Sequence, residues 1–411
     1  MKIWLINPYG PIPGEGWRDY SFTMFGTTLA AAGHNVIWWT SNFSHHFKTY
    51  RSPGWEDRAV SANFTIRLVP TSSYRKNIGL GRIIRDIVFA VRTTSRGKIE
   101  PRPDCILYYE SPLTFGYAAP ALAKYHKSTL IYDQMDLWPE LIVKSAPRRL
   151  QSILNFLFTP VYATRRRVFN KLDGTIALAK PYLESVLSDI YKSDPIPCAL
   201  IYNGIDVDAF RTAMHQKTID IEKPATQKWA IFAGSLGPSY DIKNLISAAE
   251  NLKSKNSNVT ILIAGDGPLR NEVTSAAQKL ENLRYLGKLP PHQLAEIYGL
   301  CDIGLSAYTS ASNVEMPDKF YDYTAAGLAI LNSLRGEVAE WISNHQIGFT
   351  YDPNIKDDLA AKLHRLASDA TLLEEMKSRS YQLGTYFDMK KQSKNLAIFL
   401  ENTVQYSEKN R

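Results

Sequence analysis

Between Ser310 and Gly327 the chain reads Ser-Ala-Ser-Asn-Val-Glu-Met-Pro-Asp-Lys-Phe-Tyr-Asp-Tyr-Thr-Ala-Ala-Gly, after the apolar run Ile303–Tyr308 and before the apolar run Leu328–Asn332. Glu315 and Asp322 flank what should be a helix start, with Lys319 between them. Carboxylates accept hydrogen bonds in pairs and suit the hydroxyls of a sugar or ribose. Unsatisfied backbone groups at a helix start, here around Met316, Pro317, Asp318 and Lys319, favour a diphosphate whose charge Lys319 neutralises. Acidic capping of a purely structural helix accounts for the same pattern with similar weight.

Two glycine-rich loops carry a related chemistry. Asn7-Pro8-Tyr9-Gly10-Pro11-Ile12-Pro13-Gly14-Glu15-Gly16-Trp17-Arg18 follows the first apolar run and opens a helical pattern that ends near Gly33-His34. Gly14 and Gly16 let backbone N–H groups approach phosphate oxygens, and Arg18 adds a charge. A plain Gly/Pro turn explains it equally. Ile263-Ala264-Gly265-Asp266-Gly267-Pro268-Leu269-Arg270 is a second strand, tight turn and helix start, in which Gly265 and Gly267 permit positive φ and close backbone approach.

The elements that position these loops follow from hydrophobic patterning. Near-continuous apolar runs alternate with helical segments: Lys2–Pro8, Asn35–Ser41, Phe64–Pro70, Cys105–Ser111, Ser128–Asp133, Gly174–Ala179 and Cys198–Asn203. After a polar stretch from Arg211 to Lys228 the series restarts with Trp229–Gly234, Val259–Gly265, Leu283–Leu286, Ile303–Tyr308, Leu328–Asn332 and Gly348–Tyr351. Such runs predict strands buried on both faces, hence two α/β domains with parallel sheets. A last helical segment, roughly 387–406, has no placement derivable from its pattern. Ligands of such sheets bind beyond the carboxyl ends of the strands.

A chain of 411 residues with 45% hydrophobic and 21% charged residues is ordinary globular protein of about two domains, which excludes disordered and fibrous classes. The N-terminus reads as a first strand, not a signal peptide. Cys105, Cys198 and Cys301 form neither a disulfide framework nor a metal spacing, and are expected as small buried hydrophobes in a reducing cytoplasm. Residues 1–203 hold 25 Lys and Arg against 15 Asp and Glu, a net of +10, while the remaining 208 hold 23 against 25. The basic half therefore meets something anionic: a membrane surface, a phosphorylated acceptor or nucleic acid. The last ranks lowest, for want of a recognition motif with interleaved aromatics. Two segments suit a headgroup layer: Arg82–Arg92, with Ile83, Ile84, Ile87, Val88 and Val91 on one face, and Leu150–Thr164 between arginines. Amphipathic helices mostly face their own core, so Leu150–Thr164 is expected as a core helix, while for Arg82–Arg92 both placements stand equally.

Here the residues resemble a family. The Ser310–Gly327 loop and helix is similar to the donor-binding signature of glycosyltransferase family four, retaining enzymes of GT-B architecture. Gly33-His34-Asn35-Val36 resembles its entry to the second strand. Asp136-Leu137-Trp138-Pro139-Glu140 resembles a segment of bacterial members that assemble surface polysaccharides. Tyr202-Asn203-Gly204-Ile205-Asp206 with Phe210 resembles the interdomain motif, and Gly265-Asp266-Gly267-Pro268-Leu269 the glycine turn. The departures are specific. The family's paired glutamates fall here on Val314, with Glu315 one place late, and on Asp322. The usual Arg and Lys after the first strand of the second domain are absent from Gly234-Ser235-Leu236-Gly237-Pro238-Ser239-Tyr240-Asp241.

The resemblance implies two Rossmann-like domains facing a central cleft: 1–203 for the acceptor, 204–385 for the nucleotide sugar, and a 386–411 helix crossing back. It implies transfer from a nucleotide-diphosphate sugar, expected to be a UDP-sugar, to a saccharide or lipid-linked acceptor, without metal or resident cofactor. The catalytic assignments are Lys319, Glu315 and Asp136. Lys319, the backbone of 316–319 and amides of the Gly14–Gly16 loop stabilise the leaving diphosphate. Asp322 holds the ribose, Glu315 the sugar hydroxyls, Gly234 and Ser235 the first strand end, and Gly287-Lys288-Leu289 the base. Asp136, Glu110 and His126 are candidates for a base at the acceptor, His126 more simply a structural residue. The competing readings are a nucleotide-sugar 2-epimerase and a non-catalytic partner subunit. The expected location is the cytoplasm, at the inner face of the plasma membrane.

Overall fold

A computed structural model describes residues 1–15, 21–77, 79–109, 115–191 and 195–410. Gly16, Arg18 and Glu110 lie outside the described residues. Two compact units result, one of 1–203 with 389–411 and one of 204–388.

The first unit runs β1 (Lys2–Ile6), α1 (Ser21–Ala31), β2 (Asn35–Ser41), β3 (Glu56–Ser61), β4 (Phe64–Val69), α2 (Leu80–Gly97), β5 (Cys105–Tyr109), α3 (Phe115–His126), β6 (Thr129–Gln134), α4 (Glu140–Ser145), α5 (Arg148–Leu157), α6 (Thr159–Phe169), β7 (Gly174–Ala177), α7 (Lys180–Ser188) and β8 (Cys198–Leu200). Its described strands lie in the order β3-β4-β2-β1-β5-β6-β7-β8. Every ladder is parallel except the β3–β4 hairpin. The sequence pattern misses β3 because Glu-Asp-Arg-Ala-Val-Ser is an exposed edge without an apolar run. One face of the sheet packs Leu5, Leu107 and Ile131 on Leu29 of α1; the other packs Trp4, Ile106 and Tyr132 on Phe89, Leu122 and Phe169 of α2, α3 and α6.

The second unit runs α8 (Val207–Met214), β9 (Lys228–Ala233), α9 (Ile242–Ser254), β10 (Val259–Ala264), α10 (Arg270–Lys279), β11 (Leu283–Gly287), α11 (Pro291–Leu300), β12 (Ile303–Ser306), α12 (Asp318–Ala326), β13 (Ala329–Asn332), α13 (Glu337–Asn344), β14 (Gly348–Thr350), α14 (Asp358–Ser368) and α15 (Ala370–Gly384). Its sheet is parallel, in the order β11-β10-β9-β12-β13-β14. The closing helix α16 (Met389–Lys409) belongs to the first unit, where Leu396, Leu400 and Val404 complete the core beside α1.

Two expectations change, and one reading left open is decided. The segment Leu150–Thr164 is two helices rather than one core helix, and α5 buries none of its residues. The α2 helix buries Arg85, Asp86, Phe89 and Thr93 and turns Ile83, Ile84, Ile87 and Val91 outward. Cys198, expected to be buried, is exposed on the edge strand β8, while Cys105 and Cys301 are buried. Among the described residues no helix is long and apolar enough to cross a membrane.

Candidate functional site

In the second sheet β10 and β11 extend to one side of β9, and β12–β14 to the other, so the strand order reverses between β9 and β12. At such a point the loops diverge and leave a crevice at the carboxyl edge. The β9 and β10 turns pack backbone on backbone. Gly234 N donates to Ala264 O, and Leu236 N to Asp266 O, each at 2.9 Å. A Cβ on Gly265 would lie 1.8 Å from Gly234 O, and one on Gly267 2.7 Å from Leu236 O. Close approach of one turn to the other therefore requires these glycines, and the paired turns form a ledge. Gly265 N donates to Gly287 O at 2.7 Å, extending the ledge to β11.

Lys319 enters the crevice from the first turn of α12. Its Nζ stands 4.1 Å from the ring centre of Tyr240, 4.9 Å from Phe232 and 5.0 Å from Tyr308, and donates to Tyr308 Oη at 3.5 Å. Ring faces attract the cation but replace little of its hydration. Burial accordingly lowers the Lys319 pKa to about 7, against the opposing charges of Asp318 and Asp322. A Cβ on Gly234 would lie 2.8 Å from Nζ, so the ammonium abuts the β9 turn directly. Pro317 precedes α12 with extended dihedrals and gives no side-chain cap; Phe320 N donates to its carbonyl at 2.9 Å, and the N–H groups of Asp318 and Lys319 stand at the helix start.

The other predicted residues divide. Asp318 is exposed at the helix start, Met316 and Pro317 are buried beside it, and Ser235 and Lys288 are exposed at the strand ends, with Leu289 partly covered. Asp322 is only 8% exposed and contributes field to Lys319 from within α12. Glu315 is not beside Lys319: its carboxylate lies against Gly336 and accepts from Glu337 N at 3.3 Å. There it lines a cavity of about 570 Å³ beyond β12–β14, with Ser310, Asn313, Arg335, Asp352 and Asn354. Along the carboxyl edge the order is ledge, caged lysine, polar cavity.

In the first unit the strand order reverses between β1 and β5. Gly14 has φ 86°, and the next residue anchors the loop. Glu15 accepts from Ile12 N at 2.9 Å and from Arg51 Nε and Nη2 at 2.7 and 2.8 Å. Burial works to raise the Glu15 pKa, but the bonds and charge of Arg51 hold it below the usual value. Behind the loop, Tyr9 Oη donates to Asp86 at 2.7 Å under the Arg85 guanidinium, 4.1 Å from its ring centre. Tyr109 Oη donates to Asp136 at 3.2 Å. Asp136 is exposed as a residue, while the protein around its carboxyl desolvates it and raises its pKa. Burial raises the neighbouring Asp133 to about 8. His126 is not with them: its Nε2 bonds Gly97 O at 2.8 Å, at the end of α3 that leads into β6, on the opposite sheet edge. That geometry rules it out as the acceptor base.

Sequence reasoning missed the aromatic cage, Arg51 and the Tyr9–Asp86–Arg85 group. Each is gathered from segments distant in sequence, and the pairing of Tyr240 with Tyr308 appears only when β9 and β12 lie side by side. The departure at Gly234–Asp241 was the available signal, since the cation missing there had to come from elsewhere.

A doubly wound pair of units with such a ledge and crevice is the GT-B class of glycosyltransferase fold. Residues 21–209 match the family model described as "Glycosyltransferase Family 4", and residues 215–383 that described as "Glycosyl transferases group 1". The chain belongs to glycosyltransferase family four. The chitobiosyldiphosphodolichol beta-mannosyltransferase of Candida albicans is 25% identical over 157 residues, 37% of this chain and 33% of that one. The chain thus matches about a third of that relative's length. The sucrose-phosphate synthase of Thermosynechococcus elongatus superposes with a TM-score of 0.71 at 14% identity, covering 98% of each chain. Anabaena HepE in complex with UDP superposes at 0.65 and 14% identity, covering 98% of this chain and 100% of that one.

Proposed function

We propose that the protein transfers a sugar from a nucleotide-diphosphate donor to a lipid-linked saccharide acceptor in surface-polysaccharide assembly, with retention and without metal. The observation that carries the donor assignment is Lys319, a desolvated cation at the reversal point of the second sheet, between a glycine ledge and a polar cavity. The base lies on the ledge near Gly287–Leu289 and the diphosphate against Lys319 and the start of α12. The sugar lies in the cavity with Glu315. As the bond to the anomeric carbon breaks, negative charge grows on the diphosphate, and a cation already stripped of water stabilises it without reorganisation. The UDP bound by HepE supports a UDP-sugar donor, and the lipid diphosphate named in the Candida relative supports a lipid-linked acceptor. Asp136, in the first unit, receives the acceptor proton, and the basic half attaches peripherally to the inner membrane face.

Isothermal titration with UDP, GDP and ADP, each with magnesium and with EDTA, tests the donor site. Micromolar binding of one nucleotide, equal in both conditions, is the expected result; binding of none overturns the reading. Proton NMR of the product's anomeric coupling then tests retention, and release of free sugar without acceptor identifies an epimerase instead.

A further inference from the structure

The α2 helix buries Phe89 in its core but turns its large aliphatic side chains outward. Arg85, 1% exposed, and Asp86 pack inward, while Leu80 (78% exposed), Ile83, Ile84, Ile87 and Val91 form a stripe at i, i+3/i+4, i+7 and i+11 facing out. Burying that stripe's apolar area stabilises any contact that covers it, at roughly 25 cal/mol per Å². The α5 helix repeats the arrangement: Leu150, Ile153, Phe156 (76% exposed) and Leu157 lie along it, and none of its residues is buried. The helices α2 and α6 pack on one side of the first sheet, and α5 leads directly into α6. Phe89 of α2 shares a core with Leu122 of α3 and Val168 and Phe169 of α6, which continues from α5.

Charge identifies the partner. From Arg75 to Ile99 there are seven Lys and Arg and one acid, Asp86, which is buried. From Leu141 to Leu172 there are seven Lys and Arg and no acid, and of the seven Arg165 is buried in ion pairs with Glu140 and Asp189 on either side of the segment. Arg75, Lys76, Arg92 and Lys98 are exposed on α2 or next to it in the chain, and Arg148, Arg149, Arg166 and Arg167 on α5 and on α6, which follows it. An apolar stripe bordered by cations matches a bilayer whose headgroups are anionic, with side chains in the acyl boundary and arginines among phosphates. A protein partner matches the apolar stripe but not a cationic border repeated on two helices.

We infer that α2 and α5 together form one docking face for an anionic bilayer. This rests on the peripheral attachment proposed above and adds to it a place and an orientation. Both helices emerge at the carboxyl edge of the first sheet, α2 directly after β4 and α5 shortly after β6. Arg82 and Arg85 of α2 contact Tyr9 on its inner side. Docking therefore sets the β1/β5 reversal point beside the headgroups, where a lipid-anchored acceptor resides.

Sedimentation with vesicles of phosphatidylcholine containing about one third phosphatidylglycerol tests this on the full chain, using Ile84→Glu/Ile87→Glu, Ile153→Glu/Phe156→Glu and the combination. All the substituted residues are exposed, so melting temperature and nucleotide binding stay at wild-type values. Each pair is expected to lower the vesicle partition constant at least fivefold, and the combination to abolish binding. About 0.5 M salt should weaken wild type. Wild-type partitioning that both pairs leave unchanged overturns the face while sparing membrane attachment. Absence of wild-type partitioning, or a dimer that either pair dissolves, overturns the inference. Nucleotide binding in the same samples reports separately on the donor site.

Discussion

Lys319 is buried as a cation at the expense of stability. The unfolded chain holds that proton up to about pH 10.4, whereas the folded protein releases it near pH 7. Between these values the unfolded state binds more protons, so stability rises with pH; the destabilisation is full below about pH 7 and fades toward pH 10. Lys319→Met should raise the melting temperature by about 5 °C at pH 6, with a smaller gain at pH 9, and should abolish nucleotide binding. A bound diphosphate draws the proton back, so wild-type donor affinity should fall as pH rises through about 7. Calorimetric titration at three pH values reads this, and a flat profile removes Lys319 from the diphosphate. The glycines divide in the same way. Gly265→Ala puts a Cβ 1.8 Å from Gly234 O and should cost roughly 3 kcal/mol or more in denaturant titration. Gly287→Ala meets nothing within 4 Å and bears only its left-handed φ of 70°, about 1 kcal/mol. Glycine at these turns was legible from the strand–turn–helix pattern. That Gly265 yields to its neighbouring turn rather than to a ligand was not, because two separate strands must first align.

At the scale of elements, tethers hold the helices that bear site residues. Arg211 of α8 donates to Ala325 O at 3.0 Å and Tyr381 O at 2.6 Å and lies 3.4 Å over the Tyr381 ring, binding the end of α12 to α15. Arg211→Lys keeps the charge but loses the planar fork, and should cost about 1–2 kcal/mol. The measurement is urea unfolding, with the Km for donor rising as α12 loosens. The closing helix α16 contributes Leu400 to the first unit's core, so Leu400→Ala should cost about 2–5 kcal/mol. Hydrogen exchange should place that loss in β1, β5 and α1, not in β9–β12. Its helical pattern announced the segment; its partner was invisible, because an apolar stripe does not say which core it completes. The same ambiguity misplaced Leu150–Thr164 and left α2 undecided.

For the whole molecule, the charge division sharpens at the structural one: the unit with the docking face, α16 included, holds 30 Lys and Arg against 17 Asp and Glu, and the unit with the ledge and caged lysine 18 against 23. Binding of nucleotide should slow exchange at the ends of β9 and β10 and the start of α12. Exchange in the first unit's core should be unchanged. Uniform protection of both units would show the nucleotide bound elsewhere.

Sequence alone determined the α/β class, the parallel sheets, the family and the glycine turns at the strand ends, because buried parallel strands and tight βα turns leave local patterns. It also determined that a cation was missing after β9. Only tertiary structure decided that Lys319 stands among three aromatic rings, that Glu315 lines a separate cavity, and that His126 lies on the opposite edge of its sheet. These depend on strand order, which brings residues about 80 positions apart into contact and is not encoded in any one segment. The outward turn of α2 belongs there too: its apolar residues define a stripe, and only the packing of Arg85 and Asp86 fixes which way it faces.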